Sequence, residues 1–256
     1  MAQKIEKTDR DAAAVRGFAV LEAIAGEDGP TTLAGLATKV GLPKPTVHRL
    51  LLQLGSAGLV SREPEGKRYA VGQRLSQLAL KVLANSSRRG ARHAILQGLV
   101  AELGETCNLT MLDGAEVLYL DRVETASPLR VNLQPGSRVP LHCTASGKLL
   151  LALLPAPRRA RLLAQLAMPR HTAQTLTTRV ELEKELKRVR ADKVSTDNEE
   201  FITGLVCVAV PIVAQDGHAL AAVAMQAPVA RMPLERSIGH APRLRTAALA
   251  LAKTFE

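Results

Sequence analysis

With 256 residues and 46% apolar side chains, the chain holds enough material for one large domain or two modest ones. Three widely spaced cysteines argue against a disulfide framework, and a charged opening with no apolar run near ~20 residues argues against a secretory signal or a membrane span, so a cytoplasmic protein is expected. The net charge of +10 is uneven: Gly29 to Ala101 holds eleven Lys or Arg against two acids, Glu63 and Glu65, which is the concentrated basic field of a nucleic-acid module.

The first predicted helix covers 11–26, DAAAVRGFAVLEAIAG, with Val15, Phe18, Ala19, Leu21, Ala23 and Ile24 as its apolar set. Gly26, Asp28, Gly29 and Pro30 end it. Thr31 or Thr32 can cap a second helix, TTLAGLATKV, with Leu33, Leu36, Ala37 and Val40 on one face. Gly41 allows a sharp turn. A third helix opens at Pro43–Lys44 and runs to about Ala57, where Gly58 can stop it.

Prolines cost little at the start of this third helix, because those backbone N–H groups have no intrahelical partner. Its inward stripe is Val47, Leu50, Leu51 and Leu54; Pro45, Thr46, Arg49 and Gln53 fall opposite, with Lys44 and His48 at the flanks. Leu59–Arg62 and Arg68–Val71 then read as a two-stranded ribbon whose tip is Pro64, Glu65, Gly66 and Lys67. Helix, glycine turn, helix and basic hairpin make a winged helix-turn-helix.

A helix fits the major groove of DNA, and its first turn reaches base edges. Arg49 can take guanine bidentately, Thr46 can meet base or phosphate, and Lys44 and His48 suit phosphates. Free N–H groups at the helix start also favour phosphate. Lys67 and Arg68 would lie along the backbone or minor groove. The expected double-stranded DNA contacts are Thr32, Lys44, Pro45, Thr46, His48, Arg49, Lys67 and Arg68.

From Gln73 to Leu103 the pattern is helical again. Leu75, Leu78, Ala79, Val82 and Leu83 form one stripe, Ser86–Gly90 interrupt it, and Ile95, Leu96, Leu99, Val100 and Leu103 form another. The expected division is a DNA-binding domain over 10–72, a linker helix over 73–88 and a ligand domain over 89–256.

Beyond Gly104 the pattern becomes mixed. TCNLTML, DGAE and VLYLDRV give strand, turn and strand; LRVNL looks like a further strand. Helices are expected at Ala145–Leu154, Arg158–Leu166 and Val180–Asp192. A second hairpin, LVCVAVPIV with ALAAVAMQA, turns at Asp216–Gly217, and one last helix covers about Leu234–Thr254. The fold class is α+β, with a winged helix-turn-helix joined to a ligand-binding domain.

Little suggests catalysis. His142–Cys143 could be base and nucleophile, but no third orienting group is evident. Cys207 within LVCVAVPIV reads as a small buried residue lining a pocket. ASGK ends like a phosphate-binding loop, but the earlier glycine of that motif is missing. The histidines read as isolated, and Asp113, Asp121 and Glu124 as surface or turn residues. No catalytic residue, metal or cofactor is expected. In PLHCTASGKLLLALL, Thr144 or Ser146 can cap a helix offering the N–H groups of Ala145, Ser146 and Gly147, an end that holds an anion well. The run ELEKELKRVRADK reads as a solvated, ion-paired helix face.

Three segments resemble the N-terminal half of the IclR family of bacterial transcriptional regulators: GFAVLEAIA, LAGLATKVGLPKPTVHRLLLQLGSAGLV and YAVG. LDGAEVLYLDRVE, GSRVPLHCTASGKLLLA, DNEEFITGLVCVAVPI and AVAMQAP continue the match in the family's order. The resemblance implies a winged helix joined by a helix to a GAF-like effector domain, acting as a dimer or tetramer. It implies a small organic or aromatic carboxylate effector held at Ala145, Ser146, Asp197, Cys207, Ala224 and Gln226. Position 45, commonly Ser in the family, is Pro45 here. AVAMQAP replaces an AISISGP-like segment, so Ala224 and Gln226 stand where two pocket hydroxyls are usual.

Overall fold

The computed structural model describes residues 13–27, 29–63, 66–85, 89–129, 131 and 133–255. Asp28 after the first helix, Pro64 and Glu65 at the wing tip, Ser86–Arg88 of the interruption, and Arg130 and Asn132 of LRVNL lie outside the described residues. The chain divides into two compact units, 1–83 and 84–256.

The first unit begins with α1 (Ala13–Ala25), which buries Gly17, Val20, Leu21, Ala23 and Ile24. Residues 17, 20, 21 and 24 follow i, i+3, i+4, i+7 and set the packed face. Phe18, expected inside, is one position off that stripe and 66% exposed. Then come β1 (Thr31–Thr32), α2 (Leu33–Val40) and α3 (Lys44–Ser56). Thr32 caps α2, its hydroxyl accepting from Gly35 N. Gly41 ends α2 at φ 69°, a conformation costly for a residue with a Cβ, and Leu42 N bonds back to Ala37 O.

β2 (Val60–Arg62) and β3 (Arg68–Val71) form the ribbon, and α4 (Gln73–Asn85) follows. The ribbon is three-stranded, in the order β1-β3-β2. β1 escaped the sequence reading because two threonines before a helix look like caps, and one of them is. Val20, Leu21, Ile24, Leu36, Val47, Leu51, Val60 and Tyr69 form one core. On α4 the predicted stripe divides: Leu75 packs against this core, whereas Leu78 is 51% and Val82 60% exposed.

The second unit comprises α5 (Arg89–Leu103), β4 (Thr106–Asp113), β5 (Glu116–Val123), β6 (Arg138–Pro140), α6 (Ala145–Leu153), α7 (Ala156–Gln165), α8 (Arg179–Asp192), β7 (Ser195–Asn198), β8 (Leu205–Val213), β9 (Ala219–Pro228), α9 (Leu234–Ile238) and α10 (Ala241–Ala252). Its strands form one antiparallel sheet, ordered β6-β5-β4-β9-β8-β7. α5 and α10 cover one face; α6, backed by α8, covers the other. Covered on both sides, β8 and β9 carry near-continuous apolar runs rather than alternation.

Three expectations are corrected. Leu129, Val131 and Leu133 of LRVNL are not in a strand; the buried Arg122 guanidinium donates to the Val131 carbonyl, and Ser137–Pro140 takes the edge of β5 instead. The final helix is two, α9 and α10, broken at Gly239–His240, with Pro242 in the first turn of α10 where its missing N–H is harmless. Asp121 is buried, accepting from Arg122 N at 2.9 Å and lying 3.1 Å from His93 Nδ1.

α8 meets expectation as an ion-paired helix. Arg188 reaches Glu185 at 2.7 Å and Asp192 at 3.2 Å, and Thr178 with Glu181 forms a capping box.

Candidate functional site

On α3, Val47, Leu50 and Leu51 are buried, while Lys44, Pro45, His48 and Arg49 are exposed and Thr46 half-buried. Turning the apolar stripe inward presents one polar face outward. Pro43 occupies the cap position without a side-chain cap bond. Thr46 N and Val47 N bond to the Pro43 carbonyl at 2.9 and 3.1 Å, and Pro45 has no N–H. The expected row of free N–H groups at this helix start therefore shrinks to that of Lys44, and any anion contact there falls to side chains. Lys67 and Arg68 are exposed in the wing. Arg62, not among the expected contacts, donates to Gly66 O at 2.7 Å and lies over the Tyr69 ring. Thr32 is both cap of α2 and partner of Arg68 in the β1–β3 ladder.

In the second unit, strand register gathers the expected effector positions. Asp197 pairs with Cys207, Cys207 with Gln226, and Gln226 with Thr106, so these side chains share one sheet face. Two residues along, Ala224 pairs with Asn108, and Asn108 with Arg122. This is the α6 face. Thr144 caps α6 and accepts from Gly147 N at 3.1 Å, whereas the first intrahelical bond is Lys148 N to Thr144 O. Ala145 and Ser146 thus present N–H groups ahead of the helical ladder. Thr144, one of two possible caps, is the one used.

Ala145, Ser146, Asp197, Ala224 and Gln226 are buried. Cys207 retains accessible surface although it sits mid-sheet, so space remains over this face. Two cavities of the second unit are lined by other residues: one of about 470 Å³ along α10 with Lys193 and Arg245, one of about 580 Å³ beside Lys148, Glu185 and Glu200.

Sequence reading missed two polar members of this face. Arg122 donates from Nη1 to Asn108 Oδ1 at 3.0 Å and from Nε to Glu124 at 3.3 Å. Gln226 with its amide oxygen turned to the guanidinium stands 3.0 Å from both Nη1 and Nη2. The only sequence signal was Arg122 amid the apolar VLYLDRV run.

The charges are set by burial. Burial pushes the Asp197 carboxyl up to about 7, the Glu200 charge adding to the effect; N–H bonds from Glu200 and Phe201 and the Lys148 charge oppose it. Burial likewise raises the Cys207 thiol and the Tyr119 phenol. Lys148, itself buried, pairs with Glu200 and lies 3.6 Å from Glu185.

His142–Cys143 is unsuited to nucleophilic chemistry. Burial, then the Asp197 and Glu200 charges, push the Cys143 thiol up to about 12, far from a thiolate at neutral pH. The histidines are not isolated as expected: the rings of His142 and His171 are 5.8 Å apart, and Phe201 meets His171 edge-on.

A winged reading helix on one unit and a covered, polar-lined sheet face on the other define a two-domain, ligand-responsive transcription regulator. The helix-turn-helix model of the IclR family matches residues 13–64, and the model of the bacterial transcriptional regulator IclR C-terminal domain matches 81–253. The chain belongs to the IclR family, whose members are transcriptional regulators and not enzymes. It is 51% identical over 245 residues to a protein of Cupriavidus necator described as probable transcriptional regulator SauR, covering 96% of this chain and 97% of that one. The crystal structure of Thermotoga maritima IclR aligns at 28% identity and a TM-score of 0.63, over 93% of this chain and 96% of that one. The inducer-binding domain of Acinetobacter PobR, a double mutant in complex with 3-hydroxybenzoic acid, aligns at 26% identity and a TM-score of 0.58, over 64% of this chain and 96% of that one.

Proposed function

We propose that this regulator binds an operator through α3 and the wing, and that a small organic or aromatic carboxylate on the α6 face of the second unit modulates that binding to control catabolic genes. The observation that carries the reading is the meeting of three anion-seeking features on one sheet face. They are the Ala145 and Ser146 N–H groups, the buried Arg122 guanidinium, and an Asp197 carboxyl raised to about 7, so that about half of it is protonated at neutral pH. A neutral Asp197 can donate to a carboxylate rather than repel it. The 3-hydroxybenzoic acid complex of the PobR domain supports the choice of ligand class.

Ala145, Ser146, Asp197, Cys207, Ala224 and Gln226 line this site, with Asn108 and Arg122 as further members. Gln226 offers an amide where the family usually has a hydroxyl, so the acid differs from one recognised through two serines. Operator contacts come from Arg49 and Thr46 at base edges, and from Lys44, His48, Lys67 and Arg68 along phosphates, with Thr32 and Pro45 flanking them. The DNA-binding domain spans 10–72, the linker helix 73–88 and the effector domain 89–256, in a protein acting in the cytoplasm. The exposed Leu78 and Val82 of α4 suit self-association into a dimer or tetramer, which would set the spacing of two reading helices. Calorimetric titration with a panel of carboxylates, repeated on promoter DNA by gel shift, tests the reading. Heat from carboxylates that also shifts DNA affinity is expected; heat from neutral or cationic compounds alone refutes it.

A further inference from the structure

We propose that His142, Cys143 and His171 form a binding site for one metal ion of the zinc(II) class. The loop before α6 and the loop after α7 bring the three residues together, and one donor atom of each lies within 4.8 Å of the other two.

A second observation points to a ligand independently. His142 is fully buried, and its Nε2 lies 3.0 Å from the Pro169 carbonyl oxygen. A carbonyl can only accept, so Nε2 carries the ring hydrogen and Nδ1 is left with a bare lone pair. That Nδ1 is buried and without a hydrogen-bond partner. A buried acceptor left unsatisfied costs about 1–3 kcal/mol, which ligation would remove. A remote ring N–H held by a backbone carbonyl is also the arrangement that fixes the tautomer of a metal-ligating imidazole.

Two imidazoles and a thiol suit zinc and exclude the oxygen-seeking calcium and magnesium. Three protein donors leave one tetrahedral position open for water or another ligand. With bonds of about 2.0–2.3 Å, neighbouring donors around zinc stand roughly 3.4–3.7 Å apart, so closing the site needs about 1 Å of movement. His171, exposed on its loop, can supply it. On binding, Cys143 gives its proton to solvent and forms the sulfur–metal bond; both imidazoles bind neutral. The site abuts the first turn of α6 and stands whatever the effector proves to be.

The test uses the full chain, stripped of metal by chelator and dialysis. Zinc chloride is titrated against a chromophoric chelator, and cobalt chloride is followed by absorbance. One ion per chain is expected, with a thiolate-to-cobalt charge-transfer band in the near ultraviolet that Cys143→Ala abolishes. His171→Ala, at an exposed position, should weaken zinc binding about tenfold or more at an unchanged melting temperature. His218→Ala on the β8–β9 turn should change neither readout. Absence of stoichiometric binding, a bound cobalt without the sulfur band, or wild-type zinc affinity in His171→Ala would each overturn the proposal. So would loss of affinity in His218→Ala.

Discussion

Replacing Gly147 with alanine adds one methyl group where the chain leaves no room for it. The new Cβ would stand 2.5 Å from Leu141 O, 2.6 Å from Leu141 Cα and 2.6 Å from Thr144 Oγ1. Carbon contacts normally settle at about 3.5–4.0 Å, so the 141–144 loop must retreat by roughly 1 Å. Two of the three atoms are backbone, which cannot rotate away. Overpacking of this kind costs about 1–3 kcal/mol. Displacing Thr144 would also loosen its cap of α6, worth about 1 kcal/mol. Against this, alanine gains about 1 kcal/mol over glycine in a helix. The net expectation is a loss of about 1–3 kcal/mol, or a fall of roughly 2–12 °C in the melting of the second unit at ~2–4 °C per kcal/mol. Gly98→Ala in α5 is the matched control. Its added Cβ meets nothing within 4 Å, so only the propensity gain remains and melting should rise slightly. Scanning calorimetry of the full chain reads both. Shifts of the same sign, or an unchanged Gly147→Ala, would refute the close approach of the loop to α6.

Three further outcomes are expected. Arg49→Ala should cost about 1–3 kcal/mol of operator affinity and relax base preference at one position, measured by gel shift over operator variants; unchanged affinity would move the reading face elsewhere. Lys67→Ala should weaken all DNA sequences alike and lower the salt slope of log K by about one, read from titrations at several salt concentrations. Asp197→Asn should alter stability with pH. Because burial raises the folded carboxyl from its ordinary value to about 7, stability is full below about pH 4 and erodes as pH rises towards 7. The amide removes that erosion, so Asp197→Asn should gain more on the wild type at pH 8 than at pH 5 in denaturant titrations; an equal gain at both would show that the carboxyl is not raised.

Much of the fold was legible because helices and hairpins declare themselves locally. The stripe 47, 50, 51, 54 fixed which side of α3 faces out, and the helix expected over Val180–Asp192 lies within a residue of α8. What failed was set by distant partners. LRVNL has strand-like residues, but the edge of β5 went to Ser137–Pro140 and its own Val131 carbonyl to Arg122. Asp121 and Arg122 are adjacent in a strand, so they face opposite sides of a doubly covered sheet, and both end up buried. The effector face needed the β7–β8–β9–β4–β5 register, which no local pattern encodes. The pairing of His142 with His171 depends on two loops that meet only in three dimensions.

The two-residue strand β1 fastens the basic hairpin to the helical pair. Thr32 spends its hydroxyl on the start of α2 while its backbone lies opposite Arg68. The hairpin base therefore cannot swing without dragging on the helix that precedes the reading one. In the proposed reading, such a head meets the double helix with its hairpin already fastened, so little conformational entropy is lost there at contact.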